Sequence, residues 1–339
     1  MPSTIPSLPS KQFQLPQSEA YKKLGSRLGD RRDGRVYVHD DRINTAVRVA
    51  LATNRPLLLR GEPGSGKSSL APFIARAFER RFYWETVTAR SQARDLMWTF
   101  DALGRLSDAQ IGTAASRKKV ERLENYVEPR ALWWAFDPPS ARRRGLETGR
   151  LDVPTARDPG EGLENAQVVV LIDEIDKADP DVPNNLLESL GSLQFTVEET
   201  RRLVSAQPDA APLVIITTNE ERELPAAFHR RCTVLFLKPH TPTDLIRIAE
   251  QHFPDKSAFK RDLFSGVADR VVALRDEAKK AGRRQPSTAE YLDAVRACLD
   301  LDVDPAAAQG EWSRIVELTL QKYDVQSDGA VTSTAGAAR

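Results

Sequence analysis

Two kinds of apolar spacing alternate along the chain. Ile43, Val47 and Leu51 recur every four positions in Asp41–Ala52, which places them on one face of a helix. PLLLR (56–60) follows, a short apolar run entered by a proline, and reads as a buried strand. The glycine-rich GEPGSGKSS (61–69) interrupts the pattern, and SLAPFIARAFERR (69–81) restores helical spacing. Pro72 sits early in that helix, where a missing N–H costs least, and predicts a slight kink. FYWETV (82–87), QVVVLID (167–173), PLVIITT (212–218) and TVLFL (233–237) are further strands, most of them separated by helical stretches. Such alternation predicts an α/β fold with a central parallel sheet flanked by helices. QFTVEETRRLV (194–204), with Phe195 and Val197 alternating, reads as a charged hairpin. After Pro239 the pattern turns wholly helical: TPTDLIRIAEQHF, then about 259–281, 287–301 and 311–323, with Thr241, Thr243 and Ser287 as N-cap candidates.

The domain organisation expected from this pattern is an α/β domain over 31–240 and an all-α helical domain over 241–324. Residues 1–30, first rich in Pro, Ser and Gln and then basic, are expected to form a mostly disordered arm. The polar segment 325–339 is expected to be a disordered tail. The chain is 339 residues long, 40% hydrophobic and 29% charged, with a net charge of +1. That balance describes a globular protein with no global field for nucleic acid or a lipid surface. Cys232 and Cys298 cannot build a disulfide framework and are expected to be small buried hydrophobes in a reducing compartment. No apolar run approaches the roughly 20 residues needed to span a bilayer, and the first residues have no apolar core. A cytoplasmic location is expected.

GEPGSGKSS has the spacing GxxxxGK[ST], between a strand and a helix, which is the context that a phosphate-binding loop needs. Its residues Gly61, Glu62, Pro63, Gly64, Ser65, Gly66, Lys67, Ser68 and Ser69 are the candidate nucleotide-binding set. The glycines let the backbone wrap a phosphate, and the N–H groups of Gly64 to Ser68 with the helix N-terminus supply positive potential. Lys67 is the candidate ligand of the β- and γ-phosphates, and Ser68 a candidate Mg²⁺ ligand.

VVVLIDEID (168–176) ends a buried strand in clustered carboxylates. Asp173 is the first acid after the apolar run, at the strand edge where open α/β sheets bind ligands. It is expected to address Mg²⁺ from a strand beside that of the P-loop. Glu174 is the candidate base that polarises the attacking water. Asp176 is expected to cap a helix or to pair with Lys177 on the surface.

On GEPGSGKSS, LIDEIDKADPDVPNNLLESL, the hairpin and TTNEERELPAAFHRRC, the chain resembles the AAA+ ATPases and, within them, the MoxR family, over roughly 36–300. The resemblance implies a P-loop NTPase AAA+ core with a C-terminal helical lid, ATP bound between them, and hydrolysis with Mg²⁺. It makes Asn219 the sensor-1 amide that helps hold the attacking water, and Arg231, rather than Arg230, the arginine reaching a neighbouring subunit's γ-phosphate. It therefore implies a homo-oligomeric ring, most often a hexamer, acting on protein clients such as von Willebrand A domain proteins.

The chain departs from the family twice. Lys67 and Asp173 are 106 positions apart, which places an enlarged insertion near 104–163. It holds a basic helical stretch (RKKVERLENY) and ALWWAFDPP, read as buried packing or as a partner surface. The family's sensor-2 arginine has Ser287 and Thr288 in its place, with Arg283 or Arg284 as substitutes one turn earlier.

Two other readings compete with a remodelling ATPase. One is a slow nucleotide-controlled switch that scaffolds a separate effector in a defence or signalling system. The other, less favoured, is a nucleic-acid motor, permitted by RKK (117–119) and RRR (142–144) but lacking a stacking platform or a guanine motif.

Overall fold

The computed structural model describes residue 15 and residues 34–158, 167–207, 210–305 and 309–321. The rest of the arm expected over 1–30 and the tail expected over 325–339 lie outside, apart from the described Leu15. Two compact units divide the chain, one ending at Pro239 and the other beginning at His240.

In the first unit, α1 (Asp41–Thr53) leads into β1 (Leu57–Arg60), α2 (Lys67–Ala77) and β2 (Arg81–Thr86). The Asp40 side chain caps α1 by accepting the Ile43 N–H at 2.9 Å, and left-handed Asn54 ends it. α2 starts two residues earlier than the apolar spacing predicts, because Gly66 in the left-handed region lets the helix begin at Lys67. It runs on through Pro72 and stops at Ala77, where positive-φ Glu79 turns the chain.

β3 (Trp98–Phe100) and α3 (Ala102–Ile111) lead into the insertion, which also holds α4 (Ala114–Glu121), β4 (Val127–Pro129), α5 (Ala131–Phe136) and α6 (Pro138–Arg142). β3 and β4 pair antiparallel. The chain then returns through β5 (Val168–Asp173), α7 (Asp181–Ser192), the hairpin β6 (Gln194–Val197) and β7 (Arg202–Ser205), β8 (Leu213–Thr218), α8 (Ala226–Arg231) and β9 (Thr233–Phe236).

Five strands form one parallel sheet in the order β2-β5-β8-β1-β9. The acidic strand β5 therefore does not lie beside the P-loop strand β1, contrary to expectation. β8 stands between them, with Leu58 of β1 opposite Ile216 and Ile172 of β5 opposite the same residue.

Central strands are apolar up to their C-terminal ends because both faces of the sheet are covered. Leu57, Leu59, Val169, Leu171 and Ile215 pack with Val47, Phe73 and Ile74 of α1 and α2. Leu58, Val170, Ile172 and Ile216 face the other way, toward Trp133, Leu186 and Phe195. Leu15 joins the first cluster at 3% exposure and its N–H donates to Asn44 Oδ1 at 3.1 Å, so the expected disordered arm is docked at that residue.

ALWWAF is packing rather than a partner surface, since every residue of α5 is buried. Phe195 of the hairpin meets Trp98, Trp133 and Phe136 at ring-centroid separations of 5.6, 6.0 and 5.8 Å. Trp98 Nε1 adds a hydrogen bond to Glu199 Oε2 at 2.8 Å. Hairpin and insertion thus share one aromatic core. Asp158, within the span expected for the insertion, is buried against Arg81 Nη1 and the Tyr83 hydroxyl, each 2.9 Å away. A polar cavity of about 610 Å³ opens within the insertion, lined in part by Asp108, Lys119, Asn125, Tyr126, Glu128 and Arg144.

Among its described residues the second unit is helical: α9 (Pro242–His252), α10 (Pro254–Lys280, kinked at Lys260), α11 (Thr288–Asp300) and α12 (Gln309–Val316), the last continued by a π turn to Gln321. Thr241 and Ser287 cap α9 and α11 in reciprocal boxes with Asp244 and Glu290. Thr243 is no cap, because it lies inside α9. Leu245, Phe264, Val271, Tyr291 and Cys298 form the unit's core. Burial pushes the Cys298 thiol up to about 11 and the Cys232 thiol up to about 12, as befits small buried hydrophobes. Among the described residues no helix is long and apolar enough to cross a membrane.

Candidate functional site

The loop after β1 is shaped by its glycines. A Cβ on Gly61 would lie 2.5 Å from the Leu237 carbonyl oxygen, and its φ of +144° is foreign to other residues. Lys67 is the first residue of α2 and is 5% exposed. Its Nζ donates to the Gly61 and Glu62 carbonyl oxygens at 2.8 and 2.9 Å. Burial lowers the pKa of this lysine, opposed most by the charge of Asp173. Ser65 is buried with a hydroxyl that lacks a hydrogen-bond partner, so the cradle holds an unused polar group. Glu62, Pro63 and Gly64 form the exposed lip, and Ser69 lies half-buried in the first turn of α2.

Ser68 and Asp173 meet across 105 positions of sequence: the hydroxyl donates to Asp173 Oδ1 at 2.8 Å. Asp173 is 4% exposed. A second donor, unrecognised in the sequence, is the Thr217 hydroxyl of β8, 2.6 Å from the same oxygen. Thr217 Oγ1 also accepts the Glu174 N–H at 2.9 Å. The signal was there in IITT, where an apolar strand ends in hydroxyls just as β5 ends in acids, but its use depends on the strand order.

Glu174 takes a left-handed conformation, φ 60° and ψ 47°. Its Oε2 accepts from Lys177 Nζ at 2.7 Å, and its Oε1 lies 3.5 Å from Asn219 Nδ2. The hydrogen bond to Glu174 raises the Lys177 pKa. Asp176 is neither a cap nor the partner of Lys177. At 2% exposure it accepts the backbone N–H groups of Asn219 and Glu221 on Oδ2, at 3.1 and 2.9 Å. Its Oδ1 is buried without a partner. Burial of this acid thus orders the loop that carries Asn219. Glu220 next to it pairs with Arg60 at the end of β1.

Hydrogen bonds join Ser68, Asp173, Glu174 and Asn219 by way of Thr217, and Lys67 lies close enough for the charges of Asp173 and Glu174 to act on it. Arg231 is not part of this group and lies exposed at the end of α8. The carbonyl of exposed Arg230 accepts from Arg55 at 3.2 Å. In the second unit, Arg284 pairs with buried Glu290 at 2.9 Å, and Arg283 is exposed. Thr288 meets His240 Nδ1 at 2.8 Å.

Residues 56–232 match the AAA domain family, dynein-related subfamily. That stretch runs from the entry to β1 to Cys232, just past α8, and covers more than half of the chain. The chain belongs to this family and has the AAA+ P-loop fold. No curated protein matches it. Among solved structures it is similar to the Thermotoga maritima RuvB Holliday junction branch migration motor, with 16% identity over 82% of this chain and 67% of that one and a TM-score of 0.40. It is also similar to a mutant of that RuvB, with 15% identity, 83% and 70% coverage and a TM-score of 0.43.

Proposed function

We propose that this AAA-domain protein binds and hydrolyses ATP with Mg²⁺, acts as a homo-oligomeric ring such as a hexamer, and remodels or activates partner proteins as MoxR-family members do. The observation that carries this reading is the junction of the P-loop and the β5 edge through Ser68 and Asp173, 2.8 Å apart. Lys67 and the N–H groups of Gly64 to Ser68 would hold the phosphates. Ser68 and Asp173 are hard oxygen donors of the kind Mg²⁺ prefers, and the buried, unpartnered Ser65 hydroxyl fits a cradle that receives a polar ligand. Mg²⁺, when bound, supplies positive charge against the phosphate oxygens. Glu174 accepts the proton of the attacking water, and Asn219 orients that water. Arg231, exposed at the end of α8, is available to a neighbouring subunit. Clients are proteins, von Willebrand A domain proteins among them on the family resemblance, rather than nucleic acid, and the two free cysteines fit a cytoplasmic setting.

The test is ATP turnover and particle size for the wild type and Glu174→Gln. The expected result is a nucleotide-dependent ring, with the variant slower by about 100-fold or more. Equal turnover by the two proteins, or a persistent monomer of the variant with ATP, would sink the reading.

A slow nucleotide-controlled switch is the second reading, favoured by the ion pair that engages Glu174. A low wild-type rate that partners do not raise would select it.

A further inference from the structure

Two loops meet at the proposed reaction. The P-loop, which opens at Gly61, is proposed to hold the phosphates, and the loop after β8 carries Asn219, proposed to orient the water. Reactions that depend on placement tolerate little slack, and a shift of about 1 Å can cost on the order of 100-fold in rate. β1 and β8 are paired in register up to Arg60 and Thr218, the last residue of each strand. Both loops begin past that register, so side chains must fix one against the other.

The loop after β8 spends its backbone N–H groups away from the P-loop. Those of Asn219 and Glu221 go to buried Asp176 Oδ2, at 3.1 and 2.9 Å, and that of Glu220 goes to Thr218 Oγ1 at 2.9 Å. The Glu220 side chain reaches the P-loop strand instead. Arg60 Nε donates to its Oε1 at 2.7 Å, with Nη2 on the same oxygen. Glu220 is left-handed, with a φ of 62°. A non-glycine residue keeps that strained state only where its surroundings enforce it. Arg60 is itself well anchored. It lies in register between Thr218 of β8 and Phe236 of β9, and its carbonyl accepts the Leu237 N–H at 2.8 Å. The next residue is Gly61.

We propose that Arg60 is a positioning residue that, through Glu220, holds the Asn219 loop against the P-loop and so places the attacking water relative to the γ-phosphate. A charge-assisted hydrogen bond is shorter and stronger than a neutral one, which suits a tether. The two side chains are 37% and 36% exposed, so the pair adds little to global stability and its effect is on geometry. This inference rests on Asn219 orienting the water in ATP hydrolysis.

The experiment is steady-state ATP turnover and denaturant unfolding of the full chain for Arg60→Met, Arg60→Lys, Glu220→Gln and the double variant Arg60→Met/Glu220→Gln, with Asn219→Ala alongside. Arg60→Met and Glu220→Gln are each expected to lower kcat about fivefold or more, with the KM for ATP and the unfolding midpoint unchanged. The double variant is expected to be no slower than the slower single one, because both changes remove the same tether. Arg60→Lys is expected to fall between, since an ammonium keeps the charge without the fixed fork of the guanidinium. Single variants at the wild-type rate, with Asn219→Ala slow, overturn the inference and leave the role of Asn219 standing. So do losses that add in the double variant, or that appear in KM instead of kcat. Should Arg60→Met fold poorly, Glu220→Gln decides alone by the same kcat and KM readings. Full activity of Asn219→Ala removes the premise itself.

Discussion

Thr217 donates to Asp173 at 2.6 Å from a neighbouring strand, and with its one hydroxyl it also accepts the backbone N–H of Glu174. One buried oxygen atom therefore sets both the carboxylate proposed to face Mg²⁺ and the backbone of the proposed base.

Thr217→Val keeps the shape of the side chain and removes that oxygen. The Glu174 N–H loses its partner and Asp173 loses a donor, at a cost of about 1–3 kcal/mol. Denaturant unfolding should show that loss, and ATP turnover should fall while nucleotide affinity holds, because Lys67 and the P-loop are untouched. Unchanged turnover and stability would mean that Thr217 only fills space.

Phe195 is the hairpin residue on which the insertion packs. Phe195→Ala leaves a cavity among Trp98, Trp133 and Phe136, with an expected loss of about 3–5 kcal/mol. Thermal unfolding measures it, and tryptophan fluorescence should shift as the rings gain solvent. A loss below about 1 kcal/mol would show that hairpin and insertion are held together by something other than this ring cluster.

Burial lowers the pKa of His240 below its ordinary value, against the pull of Asp244. A group that binds its proton more weakly folded than unfolded adds stability above its unfolded pKa, about 6.5. That stability is lost as pH falls through the lower folded value. Unfolding monitored from pH 7 down to acid should show the decline, and His240→Gln should flatten it. An identical pH profile for the variant would remove His240 from the account.

Much of the fold could be read from the chain because it is written in local spacing. The strands over 56–60, 167–173 and 212–218 are apolar at successive positions, which only a sheet covered on both faces rewards. Thr241 and Ser287 cap helices as their residue types predict, and Cys232 and Cys298 are buried. Thr243 misled because a threonine two positions past the true cap, Thr241, looks the same in sequence. Asp176 misled for a related reason: an acid beside a lysine reads as a surface pair. Here the 3₁₀ turn sends Lys177 back to Glu174 and turns Asp176 inward, toward backbone N–H groups more than 40 positions away. The two tryptophans of α5 suit packing or a partner surface equally in sequence, and the burial of the whole helix, with Phe195 against Trp133, decides for packing.

The sequence alone determined the chemistry-bearing pieces: a glycine-rich loop ahead of a helix, an apolar strand ending in acids, and the types of residue available to phosphate, cation and water. These follow from contiguous residues, so sterics and apolar periodicity within a dozen positions suffice. Tertiary structure alone decided the strand order, and with it that β8 stands between β1 and β5. A parallel sheet is assembled by pairings between distant segments, and no local preference encodes which strand takes the middle place. That choice brought Thr217 to Asp173 and set Asn219 against Glu174.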